Sequence, residues 1–199
     1  RVAELCVQSL QNVEGNKTKF ITTRFGNVLG SNGSVIPIFQ KQIENGGPVT
    51  ITHPEITRYF MTIPEACELV LQAGTMGQGG EVYVFDMGEP VKIIDLAKRM
   101  IRLYGLETGI DIQLKITGLR PGEKLYEELL SDDAKTLATH HEKIMISKDS
   151  AMDFSRINAL TEQVIQKAKS SDNEEIVSLL KDIVPEFKSN NSVFEILDR

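Results

Sequence analysis

Thr18-Lys-Phe-Ile-Thr-Thr-Arg-Phe25, followed by Gly26-Asn-Val-Leu-Gly-Ser-Asn-Gly33 and then Ser34-Val-Ile-Pro-Ile-Phe-Gln-Lys-Gln-Ile43, is the stretch that decides the fold. The first part is dense in β-branched and aromatic residues, the second is punctuated by glycine, and the third carries apolar side chains at helical spacing. Strand, glycine loop and helix in that order make an α/β unit. Ser34 stands where an N-cap belongs, and Pro37 falls in the first helical turn, where a missing N–H costs nothing.

Reading outward, Arg1-Val-Ala-Glu-Leu-Cys-Val-Gln-Ser-Leu10 is already helical in pattern, with Val2, Leu5, Cys6 and Leu10 on one stripe and no capping residue before it. A domain seldom begins in the middle of a helix, so the chain is expected to be cut from a longer protein. Downstream, Asn45-Gly-Gly-Pro48 ends the second helix and Val49–Thr52 reads as a short strand. Ile63-Pro64-Glu65 opens a helix to about Ala73. Val82–Phe85 is a compact apolar strand, and a helix from about Lys92 to Tyr104 places Ile93, Ala97, Met100 and Tyr104 on one face. Ile112–Ile116 alternates as a half-buried strand, and Gly118–Lys124 is a loop leading into Leu125–Leu130. This alternation predicts an α/β domain with a largely parallel sheet. Beyond Ser131, Glu142–Ser147 reads as an edge strand, Ile157–Lys169 and Asn173–Ile183 as amphipathic helices, and the residues after Pro185 as a frayed or docking tail. The expected organisation is a domain over 1–131 with a C-terminal extension over 132–199.

A chain of 199 residues, 41% hydrophobic and 25% charged, has ordinary globular composition. A net charge of -6 argues against a nucleic-acid or anionic-membrane surface, which needs a basic face to displace counterions. An anionic small ligand remains open, because two or three placed arginines suffice for it. Cys6 and Cys67 fall on helical stretches, where a free thiol behaves as a small buried hydrophobe. No apolar run approaches the roughly 18 residues of a membrane span, and no signal peptide is expected. A soluble, cytoplasmic chain is expected.

The glycine loop sits where a dinucleotide fingerprint would, but its spacing is G-x-x-x-G-x-x-G, and no strand ending in an acidic residue follows at the required distance. Asn27 in that loop either stabilises the turn or donates to a phosphate oxygen while accepting from a hydroxyl. Arg58 follows a short strand and a polar loop, and Arg120 precedes a rigid Pro-Gly turn; each either grips a diphosphate or forms a solvated ion pair. Glu123 either pairs with Arg120 as a solvated ion pair or accepts from ribose hydroxyls. His140-His141 has no carboxylate or thiol at ligand spacing, so no metal site is expected. No Ser-His-Asp arrangement is readable, and no catalytic acid or base stands out in this chain.

Together, Arg1-Val-Ala-Glu4, Thr23-Arg-Phe-Gly-Asn-Val-Leu-Gly-Ser31, Gly33-Ser-Val-Ile-Pro37, Thr57-Arg-Tyr-Phe-Met-Thr62 and Gly118-Leu-Arg-Pro-Gly-Glu-Lys-Leu-Tyr-Glu-Glu-Leu-Leu130 resemble the C-terminal part of the extended short-chain dehydrogenase/reductases that modify sugar nucleotides. The likeness is to the polysaccharide-biosynthesis proteins of the CapD type, UDP-N-acetylglucosamine 4,6-dehydratases and their relatives, with nucleotide-sugar epimerases as the near alternative. The resemblance implies a Rossmann-like α/β fold whose N-terminal dinucleotide-binding strands lie upstream of Arg1, together with the catalytic residues. It implies that Asn27 contacts the sugar-side phosphate, that Ser34 and Val35 offer backbone groups to the nucleotide, and that Val49 and Ile51 form an apolar bed for uracil. Arg58 and Arg120 would clamp the diphosphate, Glu123 would hold the uridine ribose, and Phe25 and Val28 would line the nicotinamide side of an NAD(P) bound by the full-length protein. In the family, NAD takes hydride from the sugar C4, water is eliminated across C5 and C6, and the hydride returns at C6. This chain would supply the grip on a UDP-sugar, would be inactive alone, and would bind no cofactor by itself. A non-catalytic sugar-nucleotide-binding or assembly module is the second class. The parent is expected to be a homo-oligomer, and Thr136 to Ile146 resembles members anchored to the inner membrane by an upstream segment.

Overall fold

The computed structural model describes residues 1–31, 33–127, 136–148, 151–170 and 172–198. The chain divides into two compact units: Arg1–Arg24, Leu69–Asp86 and Leu129–Arg199 form one, and Phe25–Glu68 with Met87–Glu128 form the other. Both are assembled from segments distant in sequence, and the helix α3 (Ile63–Met76) contributes residues to each. The expected segment Leu125–Leu130 and the expected division after 131 run into residues 128–135, outside the described residues.

The first unit is built on β6 (Val82–Phe85), whose four residues are all buried. A strand enclosed on both faces reads as an unbroken apolar run, which is why Val82-Tyr-Val-Phe85 needs no alternation. Beside it lie β1 (Thr22–Arg24) in parallel and β10 (Ile144–Ser147) antiparallel, and β10 in turn pairs antiparallel with β9 (Thr136–Ala138). Two corrections follow. The sheet is mixed, not largely parallel, because the short connection from β9 to β10 can return the chain only as a hairpin. The 142–147 segment is an interior strand, because β9 covers its other side. Three residues, Thr136-Leu-Ala138, are too few to display an alternation, so β9 was invisible in the sequence.

Helix α1 (Val2–Leu10) joins β1 through Glu4, whose carboxylate receives Arg24 at 2.6 and 2.5 Å and Arg1 at 3.1 Å. Leu5 packs with Ile157 of α5 (Phe154–Ser170) and with Ile183 and Val184 at the end of α6 (Asn173–Ile183). Asp172 caps α6 by accepting from the Glu175 N–H at 3.1 Å. The residues after Pro185 dock and end in a 3₁₀ helix, Val193–Leu197. Cys6 is half-buried and Cys67 exposed, a correction for the second thiol: Ala66, Leu69 and Ala73 define the inward face of α3, and position 67 points about 100° away from 66.

The second unit holds α2 (Val35–Glu44), α4 (Ile93–Leu103) and three strand pairs. β3 (Val49–Ile51) runs parallel to β8 (Leu114–Ile116), and β2 (Asn27–Val28) parallel to β5 (Phe60–Met61). β4 (Thr57–Arg58) runs antiparallel to β7 (Val91–Lys92). The core between helices and strands comprises Phe39, Ile43, Val49, Ile51, Ile56, Ile93, Ala97, Met100, Ile101 and Ile112. The buried face of α4 includes Ile101, whereas Tyr104 is exposed and donates its hydroxyl to Glu44 at 3.2 Å. Ser34 occupies the N-cap position of α2 in extended conformation, yet its hydroxyl makes no cap bond and is buried without a partner among the described residues, so the expected side-chain cap is not formed.

Candidate functional site

All the residues singled out from the sequence as ligand contacts fall in the second unit. Gly26 sits where the chain leaves β1, and a Cβ there would meet the Tyr59 carbonyl at 2.9 Å and Met87 Cε at 2.8 Å. That carbonyl accepts the Asn27 N–H at 2.9 Å, and Leu29 donates to Met61 O at 2.9 Å, so the loop is stitched to the segment carrying Arg58. Gly26→Ala is expected to cost about 1–3 kcal/mol, because a backbone carbonyl has to move and the β2–β5 ladder lengthens. A urea midpoint lowered at constant slope would register it; an unchanged midpoint would contradict the close approach.

The second cluster forms around Glu123. Arg120-Pro121-Gly122-Glu123 is a tight turn closed by Glu123 N–H to Arg120 O at 3.0 Å, with Gly122 at φ 77. Proline before a positive-φ glycine is the pairing that a type II turn requires. The Glu123 carboxylate accepts the Arg120 N–H at 3.0 Å on one oxygen and the Thr52 hydroxyl at 3.0 Å on the other. Arg58 stands 3.7 Å from the oxygen that Thr52 uses. Its guanidinium also donates to the carbonyls of Thr57 at 2.7 Å, Lys124 at 3.0 Å and Leu125 at 3.5 Å.

The structure therefore gives the two arginines different characters. Arg58 has a side chain only 16% exposed and is committed to the protein, bracing β4 against the Lys124–Leu125 segment. Arg120 is exposed at the turn, and its guanidinium has no partner among the described residues. Arg58, Glu123 and the Arg120 backbone are brought together. Asn27, half-buried in β2, is tied by its backbone to Tyr59, the neighbour of Arg58. Ser34 and Val35 begin α2, with Val35 partly packed on the core. Phe25 is 38% exposed, and Val28 pairs with Met61.

Val49 and Ile51 differ from expectation. Their side chains are 0% and 2% exposed and point into the core, so they present no apolar bed to a base. Alternation along β3 turns Thr50 to the opposite side, and Thr52 follows in the bend just past the end of the strand. Thr50 is occupied by Gln42, whose amide donates to its hydroxyl at 2.7 Å. Thr52 was missed by sequence reasoning; its strand parity relative to buried Val49 and Ile51 was the available signal, although its partner lies 71 positions away.

Chemically, the cluster combines an exposed guanidinium without a partner among the described residues, a braced guanidinium, and a carboxylate that accepts two hydrogen bonds, groups of the kind that can receive an anion and a hydroxyl. Among the described residues, no group of three His, Cys, Asp or Glu side chains could hold a metal ion, and no helix is long and apolar enough to cross a membrane.

The scaffold is α/β, and its second unit brings Arg58 of β4 beside the turn that carries Arg120 and Glu123. More particularly, the chain belongs to the polysaccharide biosynthesis protein family, whose profile matches residues 1–149. It is 56% identical over 165 residues to the capsular polysaccharide biosynthesis protein CapD of Staphylococcus aureus, covering 83% of this chain and 27% of that protein. It is 35% identical over 188 residues to the UDP-N-acetylglucosamine 4,6-dehydratase (inverting) of Campylobacter jejuni, covering 87% of this chain and 52% of the relative. Among solved structures, the X-ray structure of Pen from Bacillus thuringiensis superposes with a TM-score of 0.64 at 30% identity, covering 81% of this chain and 55% of that one. The chain thus spans about a quarter of the CapD protein and about half of the other two.

Proposed function

We propose that this chain is the substrate-gripping portion of a nucleotide-sugar 4,6-dehydratase that acts on UDP-N-acetylglucosamine in the synthesis of a surface polysaccharide. The observation that carries the reading is the Thr52–Glu123–Arg58 cluster at the Arg120 turn. A fixed carboxylate suits ribose hydroxyls, and guanidinium groups suit a diphosphate, which accepts forked hydrogen bonds. The likeness to a UDP-N-acetylglucosamine 4,6-dehydratase supports the same choice of substrate.

In this reading Arg120 takes the diphosphate, Arg58 holds its rim from a braced position, and Asn27 reaches the sugar-side phosphate. Ser34 and Val35 add backbone groups at the start of α2, where the helix dipole favours an anion. NAD(P) belongs to the full-length protein; when bound, it would supply the hydride acceptor and donor. The described residues fit only an apolar wall for its ring, Phe25 with Val28, and the pyrophosphate of a dinucleotide finds no glycine fingerprint here, so no step is derived through it.

Titration calorimetry of the chain with UDP-N-acetylglucosamine and, separately, with NAD tests the reading. Saturable binding of the sugar nucleotide, weakened by added salt, with little or no heat from NAD, is the expected result. Binding of NAD with no response to the sugar nucleotide would replace the reading with a dinucleotide site.

A further inference from the structure

We propose that Thr52 is a positioning residue: by holding the Glu123 carboxylate it sets the discrimination between a ribose and a 2′-deoxyribose nucleotide. The inference rests on the nucleotide reading above and goes beyond it to a residue that touches no ligand.

The carboxylate plane is fixed from two sides. Thr52 Oγ1 donates to one oxygen at 3.0 Å, and the Arg120 N–H donates to the other at 3.0 Å. The Arg120 bond lies within the turn that carries Glu123, so it moves with that turn. The Thr52 bond ties the carboxylate to a different element, the end of β3, on the oxygen that Arg58 of β4 approaches at 3.7 Å. That element is rigid: Ile51 is buried, and its carbonyl accepts the Thr117 N–H at 2.9 Å, extending the β3–β8 ladder to the residue before Thr52. Thr52 itself is stiff at χ1 because it is β-branched. Core, strand and hydroxyl therefore form one chain of constraint that ends on Glu123.

Recognition of a sugar hydroxyl by a carboxylate depends on that constraint. A carboxylate in a fixed plane accepts from a hydroxyl in one direction, so a ligand lacking the hydroxyl leaves an oriented acceptor unmatched. A carboxylate free to rotate can turn to water, and the penalty for the missing hydroxyl falls. Discrimination between UDP and 2′-deoxy-UDP is thus the readout, more than affinity for either.

The test measures the ratio of dissociation constants for 2′-deoxy-UDP and UDP in wild type, Thr52→Val, Thr52→Ser and Glu123→Gln. Valine keeps the shape and removes the donor; serine keeps the donor. The ratio is expected to shrink roughly five- to tenfold in Thr52→Val and to stay near the wild-type value in Thr52→Ser. Hydrogen exchange without ligand should show the Arg120 amide opening faster in Thr52→Val and unchanged in Thr52→Ser. Thr52→Ala repeats the comparison in case valine distorts the strand end. An unchanged ratio in both donor-less variants, beside weakened UDP binding in Glu123→Gln, overturns the role of Thr52 and leaves the nucleotide reading intact. A wild-type chain that binds neither nucleotide overturns the nucleotide reading, and the discrimination with it.

Discussion

Arg120→Ala is expected to weaken UDP-N-acetylglucosamine binding by about 1.5–3 kcal/mol, roughly ten- to a hundredfold in Kd, while leaving the stability of the chain within about 0.5 kcal/mol of wild type. The guanidinium is exposed and makes no contact among the described residues that folding would miss. Arg58→Ala should weaken binding as well, but with a second signature. It deletes the donor to the carbonyls of Thr57, Lys124 and Leu125, and so frees the segment after the Pro-Gly turn. The Thr57 amide, which donates to Leu125 O at 3.3 Å, should then exchange faster. Calorimetry paired with hydrogen exchange separates the two variants. Equal affinity in wild type and both variants would remove the diphosphate grip from these residues.

The second large effect is expected in the first unit, at Lys181. Its side chain is 4% exposed, donates to the Asp198 carboxylate and to Phe187 O at 3.1 Å, and lies 4.4 Å above the Phe187 ring. Asp198 also accepts the Ser189 N–H at 3.0 Å, so this ion pair helps to pin the terminal segment to α6. Asp198→Asn should lower the thermal midpoint more than Lys181→Met. The first leaves an ammonium buried without its counter-charge, whereas the second leaves a carboxylate that water can reach.

The pH dependence has a definite sign. The hydrogen bond from Lys181 holds the Asp198 carboxyl below its ordinary value, burial opposes this, and the Ser189 N–H and the charges of Lys181 and Lys188 add to the lowering. A depressed folded value means that the stabilisation is complete above the unfolded carboxyl value, near 3.8, and is lost as pH falls through the lower folded value. Wild type and Asp198→Asn should therefore differ most near neutrality and converge in strong acid. A gap independent of pH would show that the pair does not hold the tail.

Much of the secondary structure was legible. Val82–Phe85 declares itself because a strand covered on both faces must be apolar throughout, and Asn173–Ile183 because its apolar residues recur at helical spacing. The Pro-Gly turn after Arg120 was legible for the same local reason: proline fixes one dihedral and glycine permits the next. Ser34 shows the limit of such reasoning, since it stands at a cap position and forms no cap.

What the sequence determined by itself was the α/β character and the turn beside Arg120, both set within a few residues by dihedral preference and side-chain periodicity. Tertiary structure alone decided that Val49 and Ile51 face the core, that β10 is interior, and that Thr52 meets Glu123 across 71 positions. It also decided which arginine is braced and which is free. Those outcomes depend on how distant segments pair and which face each strand turns inward, and no local preference carries that information.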